Sequence, residues 1–413
     1  MAKSSSREPE NWFTAFGFEE TNFGFQGAWA LGQVYDRQGD VGEIMATCYS
    51  ITDGDVGSWY DEWIKTAERV DRIARTCEEK GHAVSAGEAY HRASNYYRMA
   101  DFYLHEDPTD SRALGAALRA VECFSKAMEL LGMPVERVNI PFEGTTLPGY
   151  YYTAQDAQRP APLLVVHTGF DGTSEELSGT GKAAIARGYD CLIFEGPGQG
   201  QAVRDRGLLF RPEWEKVISA VVDYALESAE VDPDRVAVHG YSFGGWLVTR
   251  AACYEHRPAV YIGNPGAYSF ADTVSAYLPD SLKEALETDL DAANAMLAKM
   301  CEASIGLAWG MNDGMWKFGC PTPADYVKKL SEYSLDQDQL DLITSHMLVI
   351  GHEGEGIFEE GQASKLFNRL KGPKDLMVFT IEEAAEPHCQ IGASSISYQK
   401  VFDWLDEFFA ARA

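Results

Sequence analysis

The chain has 413 residues, 45% of them apolar, which suits one large α/β domain with an accessory domain and excludes global disorder. The formal net charge of −28 is spread along the chain, as on a solvated surface, and argues against nucleic acid or an anionic membrane as partner. Eight cysteines lack any Cys-x-x-Cys pair, the start MAKSSSREPENW has no apolar leader core, and no stretch approaches a membrane span of ~18 apolar residues, so a cytoplasmic protein with free thiols is expected. The nine histidines are scattered without ligand-like spacing, so neither zinc nor any other metal is expected.

Up to about Leu131 the apolar residues recur at helical spacing. In SWYDEWIKTAERVDRIARTCEEKGH, Ser58 stands three residues before Asp61 as the expected N-cap. Trp59, Trp63, Ala67, Val70, Ile73, Ala74 and Cys77 form the apolar stripe, and Gly81 ends it. SAGEAYHRASNYYRMADFYL and SRALGAALRAVECFSKAMELLG read as two further helices, the first rich in aromatic and arginine side chains suited to inter-helix packing. No tetratricopeptide-like repeat of ~34 residues is evident.

From Met133 short β-rich runs alternate with helical ones: ERVNIPFE, LPGYYYTA, PLLVVHT, YDCLIFE, RVAVHG, AVYIG, HMLVIG and LMVFTI. Several are continuously apolar, as strands buried on both faces of a mainly parallel sheet must be. Helical patterns fall around 178–187, 212–229, 243–255, 359–371 and 396–411, which makes an α/β domain. Residues 267–342 interrupt the alternation with helical, aromatic sequence, and an insertion of that length is expected to be a lid or a binding element. The expected organisation is a helical domain over 1–132 and an α/β domain over 133–413.

Gly240-Tyr241-Ser242-Phe243-Gly244 follows a buried strand and precedes a helix. That context makes Gly-x-Ser-x-Gly a nucleophile elbow, in which small neighbours permit a sharp turn and the helix start faces a developing oxyanion. A serine hydroxyl needs a base, and elbow enzymes place it last in the chain. His388 fits, lying beyond the last strand and before the C-terminal helix, whereas His82, His91, His105, His239 and His256 occupy unsuitable places. The acid should follow HMLVIG, where GHEGEGIFEEGQ contains no aspartate. Counting back from the helix at Gln362 favours Glu355, while counting forward from Gly351 falls on Gly354, between the two candidates; Glu355 is chosen and Glu353 is the alternative. The oxyanion donors are assigned to the N–H groups of Phe243 and Phe170, the latter in VVHTGFDGTSEE.

Around these residues the chain resembles the α/β-hydrolase superfamily, in the branch of the fungal heptaketide-shortening hydrolases and the 2,6-dihydroxypseudooxynicotine hydrolase, and it is similar to the fermentation-respiration-switch esterase group. GFDGTSEE, FEGPGQGQAVR, FRPEWEKV, GYSFGG, WGMNDGMWKFG and AAEPHCQ carry the resemblance, together with GSWYDEW and GHAVSAGEAYHRASNYYRMADFY near the N-terminus. It implies an α/β-hydrolase fold with a mainly parallel eight-stranded sheet, an N-terminal helical cap (1–132) and a helical lid (267–342). Ser242 would be the nucleophile, His388 the base and the acid would sit in the Glu355 loop, although the family commonly has aspartate there. Members cleave a carbon–carbon bond beside a ketone or hydrolyse esters, and relatives with this elbow also eliminate or cyclise. The expected substrate is an aromatic or polyketide-like small molecule, bound among Trp309, Trp316, Phe318, Tyr96 and Tyr97, residues that could equally be ordinary packing. No cofactor is expected, and a homodimer is the expected assembly.

Overall fold

The computed structural model describes residues 15–359 and 361–412; the opening MAKSSSREPENW lies outside them. The chain divides into two compact units, Met1–Gly132 with Cys301–Gly310, and Met133–Met300 with Met311–Ala413.

The first unit contains helices α1 (Thr21–Gly32), α2 (Val41–Ser50), α3 (Val56–Glu79), α4 (Ala83–Asp101) and α5 (Ser111–Leu130). α1 escapes a propensity reading because Gly24, Gly27 and Gly32 dilute it; at Gly27 the Phe16 ring would stand a tight 3.1 Å from a Cβ. The α3 cap differs from expectation. Asp55 accepts from the N–H groups of Gly57 and Ser58 at 2.9 and 3.1 Å, so the helix starts before Ser58, whose hydroxyl instead accepts from Thr52 N–H at 2.9 Å. Trp59, Trp63, Ala67, Val70 and Ala74 are buried as the stripe requires, but Ile73 is exposed. Asp71, buried on α3, accepts from Tyr97 Oη (3.0 Å) on α4 and Arg119 Nη2 (2.7 Å) on α5, which ties the three helices through one desolvated carboxylate.

The second unit is built on an eight-stranded sheet in the order β1-β2-β4-β3-β5-β6-β7-β8. Its strands are β1 (Val135–Phe142), β2 (Thr145–Tyr152), β3 (Ala161–His167), β4 (Asp190–Phe194), β5 (Val231–Tyr241), β6 (Val260–Asn264), β7 (His346–His352) and β8 (Lys374–Phe379). β2 runs antiparallel to both β1 and β4, and all other neighbours are parallel. Burial explains the composition: β4 and β6 are buried at every residue, whereas the edge strands β1 and β8 are largely exposed.

The connecting helices are α6 (Ser178–Ile185), α7 (Gly200–Arg206), α8 (Trp214–Leu226), α9 (Gly244–Ala252), α10 (Phe270–Ala276), α11 (Asp280–Thr288), α12 (Leu290–Glu302), α13 (Ile305–Phe318), α14 (Pro323–Lys329), α15 (Gln337–Leu340), α16 (Gln362–Arg369) and α17 (Ser394–Ala410). The long stretch between β6 and β7 holds α10 to α15, and the division between the units passes through its α12 and α13. Among the described residues no helix is long and apolar enough to cross a membrane. Parallel strands end at one edge of the sheet, so the loops after β3, β5, β6, β7 and β8 emerge together, and these loops carry the site.

Candidate active site

Ser242 sits between β5 and α9 with φ +59°, a left-handed conformation that a non-glycine residue adopts at a cost of about 1–3 kcal/mol. The surroundings hold it there: its N–H donates to Asn264 C=O at 2.7 Å. A Cβ on Gly240 would lie 2.1 Å from Gly244 O, one on Gly244 2.6 Å from Thr168 O, and one on Gly245 1.9 Å from Pro265 O. These obstacles are backbone atoms and cannot swing aside. Gly245→Ala is therefore expected to lower stability by about 3 kcal/mol, at the upper end for overpacking, as a drop in the midpoint of thermal or urea unfolding; an unchanged midpoint would show that α9 can shift away from β6.

His388 follows Pro387 in a tight turn in which Cys389 (φ +53°) and Gln390 (φ +55°) are also left-handed. Its Nε2 lies 2.9 Å from Ser242 Oγ and its Nδ1 2.7 Å from Glu355 Oε1. The Phe358 ring stacks on the imidazole at 5.9 Å and 16°. Glu355 Oε1 also accepts from the N–H groups of Ile357 and Phe358, each at 3.2 Å. Of the two glutamates, it is Glu355 that the structure brings to His388. Glu353 is exposed, and its Oε2 accepts from Ile381 N–H at 2.7 Å, pinning this loop to the segment after β8.

Electrostatics follow from this packing. Burial works against ionisation of Glu355, but the charge of His388, its hydrogen bond to the carboxylate and the nearby His352 imidazole outweigh it and hold the carboxyl well below the usual range. Burial likewise disfavours the His388 imidazolium, yet the Cys389 and Glu355 side chains raise its pKa well above the ordinary 6.5. Among the described residues no group of three or more His, Cys, Asp or Glu is arranged to hold a metal ion.

The loop after β3 is pressed against the elbow. A Cβ on Gly169 would stand 2.5 Å from Phe243 N and 2.9 Å from Ser242 Cβ, so only glycine lets the Phe170 backbone come this close. Gln199, fully buried in the FEGPGQG stretch, donates from Nε2 to the carbonyls of Thr168 (2.6 Å) and Gly169 (3.1 Å), and the latter belongs to the peptide group carrying the Phe170 N–H. On the other side Lys317, buried and paired with Asp313 at 2.8 Å, donates to Phe170 C=O at 2.7 Å. Sequence reasoning missed Gln199 and Lys317; the only signal was their place in the FEGPGQGQAVR and WGMNDGMWKFG stretches.

The aromatic residues expected to bind substrate separate into groups. Phe318 packs with Phe210 (4.8 Å), Phe243 (6.2 Å) and Phe170 (6.3 Å), beside the loop and elbow just described. Trp316 is half-buried under the Arg204 guanidinium at 5.0 Å. Tyr96 and Tyr97 are core residues of the helical unit, with hydroxyls hydrogen-bonded to Glu43 (2.8 Å) and Asp71 (3.0 Å). Trp309 belongs to that same unit, stacked on Phe102 at 4.5 Å with its Nε1 donating to Phe102 C=O.

Residues 48–265 match the esterase FrsA-like family, which is more than half of the chain. The chain belongs to this family. Hydrolase LUC6 of a Fusarium species is 35% identical over 411 residues, covering 96% of this chain and 98% of its own length. The 20-hydroxy-prefusarin hydrolase FUS2 of Gibberella moniliformis is 31% identical over 412 residues, with the same coverage of 96% and 98%. The solved 2,6-dihydroxy-pseudo-oxynicotine hydrolase superposes with a TM-score of 0.71 over 91% of this chain and 94% of that one, at 21% identity, and shares the fold. This FrsA-like protein is thus an α/β-fold hydrolase.

Proposed function

We propose that the protein is a serine hydrolase that cleaves a carbon–carbon bond beside a ketone in a bulky, aromatic or polyketide-like molecule. The observation that carries the reading is the continuous line from Ser242 Oγ through His388 to Glu355, at 2.9 and 2.7 Å, on a strained elbow. In this reading His388 Nε2 takes the hydroxyl proton as Ser242 Oγ bonds to the carbonyl carbon, and Glu355 stabilises the imidazolium. The N–H groups of Phe243 and Phe170 receive the oxyanion. Collapse breaks the bond to the α-carbon, which leaves as an enolate and takes the proton from His388. Water, deprotonated by His388, then releases the acyl group as a carboxylic acid. The name of the relative acting on 20-hydroxy-prefusarin supports a bulky substrate, and the aromatic set Phe170, Phe210, Phe243 and Phe318 beside the elbow suits one. The family's description as esterases favours ester hydrolysis as a second reading, with an alcohol in place of the enolate. Incubation with benzoylacetone and with a nitrophenyl ester separates them: the first reading expects one acid and one ketone from the diketone, and an untouched diketone beside a cleaved ester would replace it with the second.

The same reading has a pH signature. His388 must be neutral to accept the serine proton, so kcat/KM falls as pH drops through its pKa. Because that pKa is raised, the acidic limb of the profile is expected above the ordinary 6.5. Glu355→Gln removes one of the raising influences and should move the limb down as well as lower the plateau. A wild-type limb below 6.5 would show that another group controls the rate.

A further inference from the structure

We propose that a second histidine, His352, is a positioning residue for Glu355, and that Gln390 and Asn264 set its tautomer; the inference rests on the Ser242–His388–Glu355 reading above. His352 is the last residue of β7, and its side chain is fully buried. Its Nδ1 lies 3.1 Å from Glu355 Oε2, short though not well aligned, and among the described residues neither atom has another hydrogen-bond partner. The two carboxylate oxygens are therefore treated differently. Oε1 collects three donors, from His388, Ile357 and Phe358, while among the described residues Oε2 faces His352 alone.

The far side of the imidazole identifies its proton. His352 Nε2 meets Gln390 Nε2, and an amide nitrogen can only donate, so Nε2 is the acceptor and the proton sits on Nδ1, toward Glu355. Turning the amide over would place the proton on Nε2 and leave a bare nitrogen lone pair against a buried carboxylate. In this orientation Gln390 Oε1 accepts from Asn264 Nδ2 and Ser397 Oγ, each at 2.9 Å, and its Nε2 also reaches Asn264 Oδ1 at 3.1 Å. Asn264 closes the circuit, since its carbonyl accepts the Ser242 N–H at 2.7 Å. A ring of contacts thus runs from the serine through His388, Glu355, His352, Gln390 and Asn264 back to the serine. Its chemical sense lies in the choice of acid. Glutamate has one more rotatable bond than aspartate, and a second donor on Oε2 removes the freedom that the longer side chain adds.

The test uses the full chain and p-nitrophenyl butyrate. His352→Phe fills the space without a donor, whereas His352→Asn offers Nδ2 near the place of Nδ1. His352→Phe should lower kcat by about 10- to 100-fold, the scale seen when a ligand-orienting partner is lost, with KM within about twofold and the folded state retained; His352→Asn should recover most of the loss. A parental kcat in His352→Phe overturns the proposal, as does equal impairment of both variants, which would mean packing alone. Should His352→Phe not fold, Gln390→Met carries the test, with kcat lowered on the order of tenfold at constant KM expected and parental kcat overturning. Ser242→Ala is measured alongside: if it is inactive while His352→Phe is parental, only this inference fails, and if it stays active the underlying mechanism fails.

Discussion

Ser242→Ala keeps the fold of the parent and turns over substrate about 10⁴- to 10⁶-fold more slowly. The fold survives because the elbow is held by its backbone: the residue 242 N–H still reaches Asn264 C=O, and alanine has the same Cβ in the same left-handed conformation. The lost hydroxyl removes one hydrogen bond, to His388. Chemistry suffers far more, since the hydroxyl that is lost is the one 2.9 Å from His388 Nε2. A fluorophosphonate probe gives an independent reading, with the parent labelled and the variant not. Activity within about tenfold of the parent would remove the covalent mechanism and favour a lyase or cyclase that uses His388 as its base.

Glu355→Gln is the second large effect, a loss of about 10⁴ in kcat, against a change within about threefold for Glu353→Gln. A glutamine amide turned toward His388 Nδ1 moves the imidazole proton to Nε2, where it faces Ser242 and blocks the acceptance of a second proton. Glu353→Gln keeps a carbonyl oxygen for Ile381 N–H, so its loop contact persists. Steady-state kinetics on the same ester compare the two. A crippled Glu353→Gln beside an active Glu355→Gln would exchange their roles, and two active variants would place the acid elsewhere.

Much of the fold is legible in the chain because burial leaves a plain mark on strands. PLLVVHT, YDCLIFE, RVAVHG and AVYIG each carry an unbroken apolar run (LLVV, CLIF, VAV and AVYI), and each lies in the interior of the sheet. Ser242 is legible for a related reason: a turn this tight tolerates only small neighbours, and Gly240 and Gly244 record that locally. The start of α3 was misplaced because Asp55 and Ser58 are both good caps, and which of them accepts the free N–H groups depends on where the chain enters from Thr52. Tyr96 and Tyr97 are ambiguous in sequence because aromatic residues line pockets and fill cores alike; the structure buries both in the helical unit, with hydrogen bonds to Glu43 and Asp71.

What the chain by itself determined is the order of elements, with a serine at a strand–helix turn, a histidine before the last helix and glutamates just after β7, because each depends on local pattern and on strand order. The choice between Glu353 and Glu355 was different. Two glutamates two positions apart have the same chemistry and similar reach, and counting from either end of the loop gave different answers. The tertiary structure brings only one of them to His388 by where the loop is fastened: Ile381 N–H takes Glu353, while Glu355 turns inward toward His388. The same holds for His352, Gln390 and Asn264, which lie 38 and 126 residues apart along the connections that join them. Hydrogen bonds between buried polar side chains leave no periodic trace in a sequence, since their partners are chosen by the ends of separate strands meeting at one edge of the sheet.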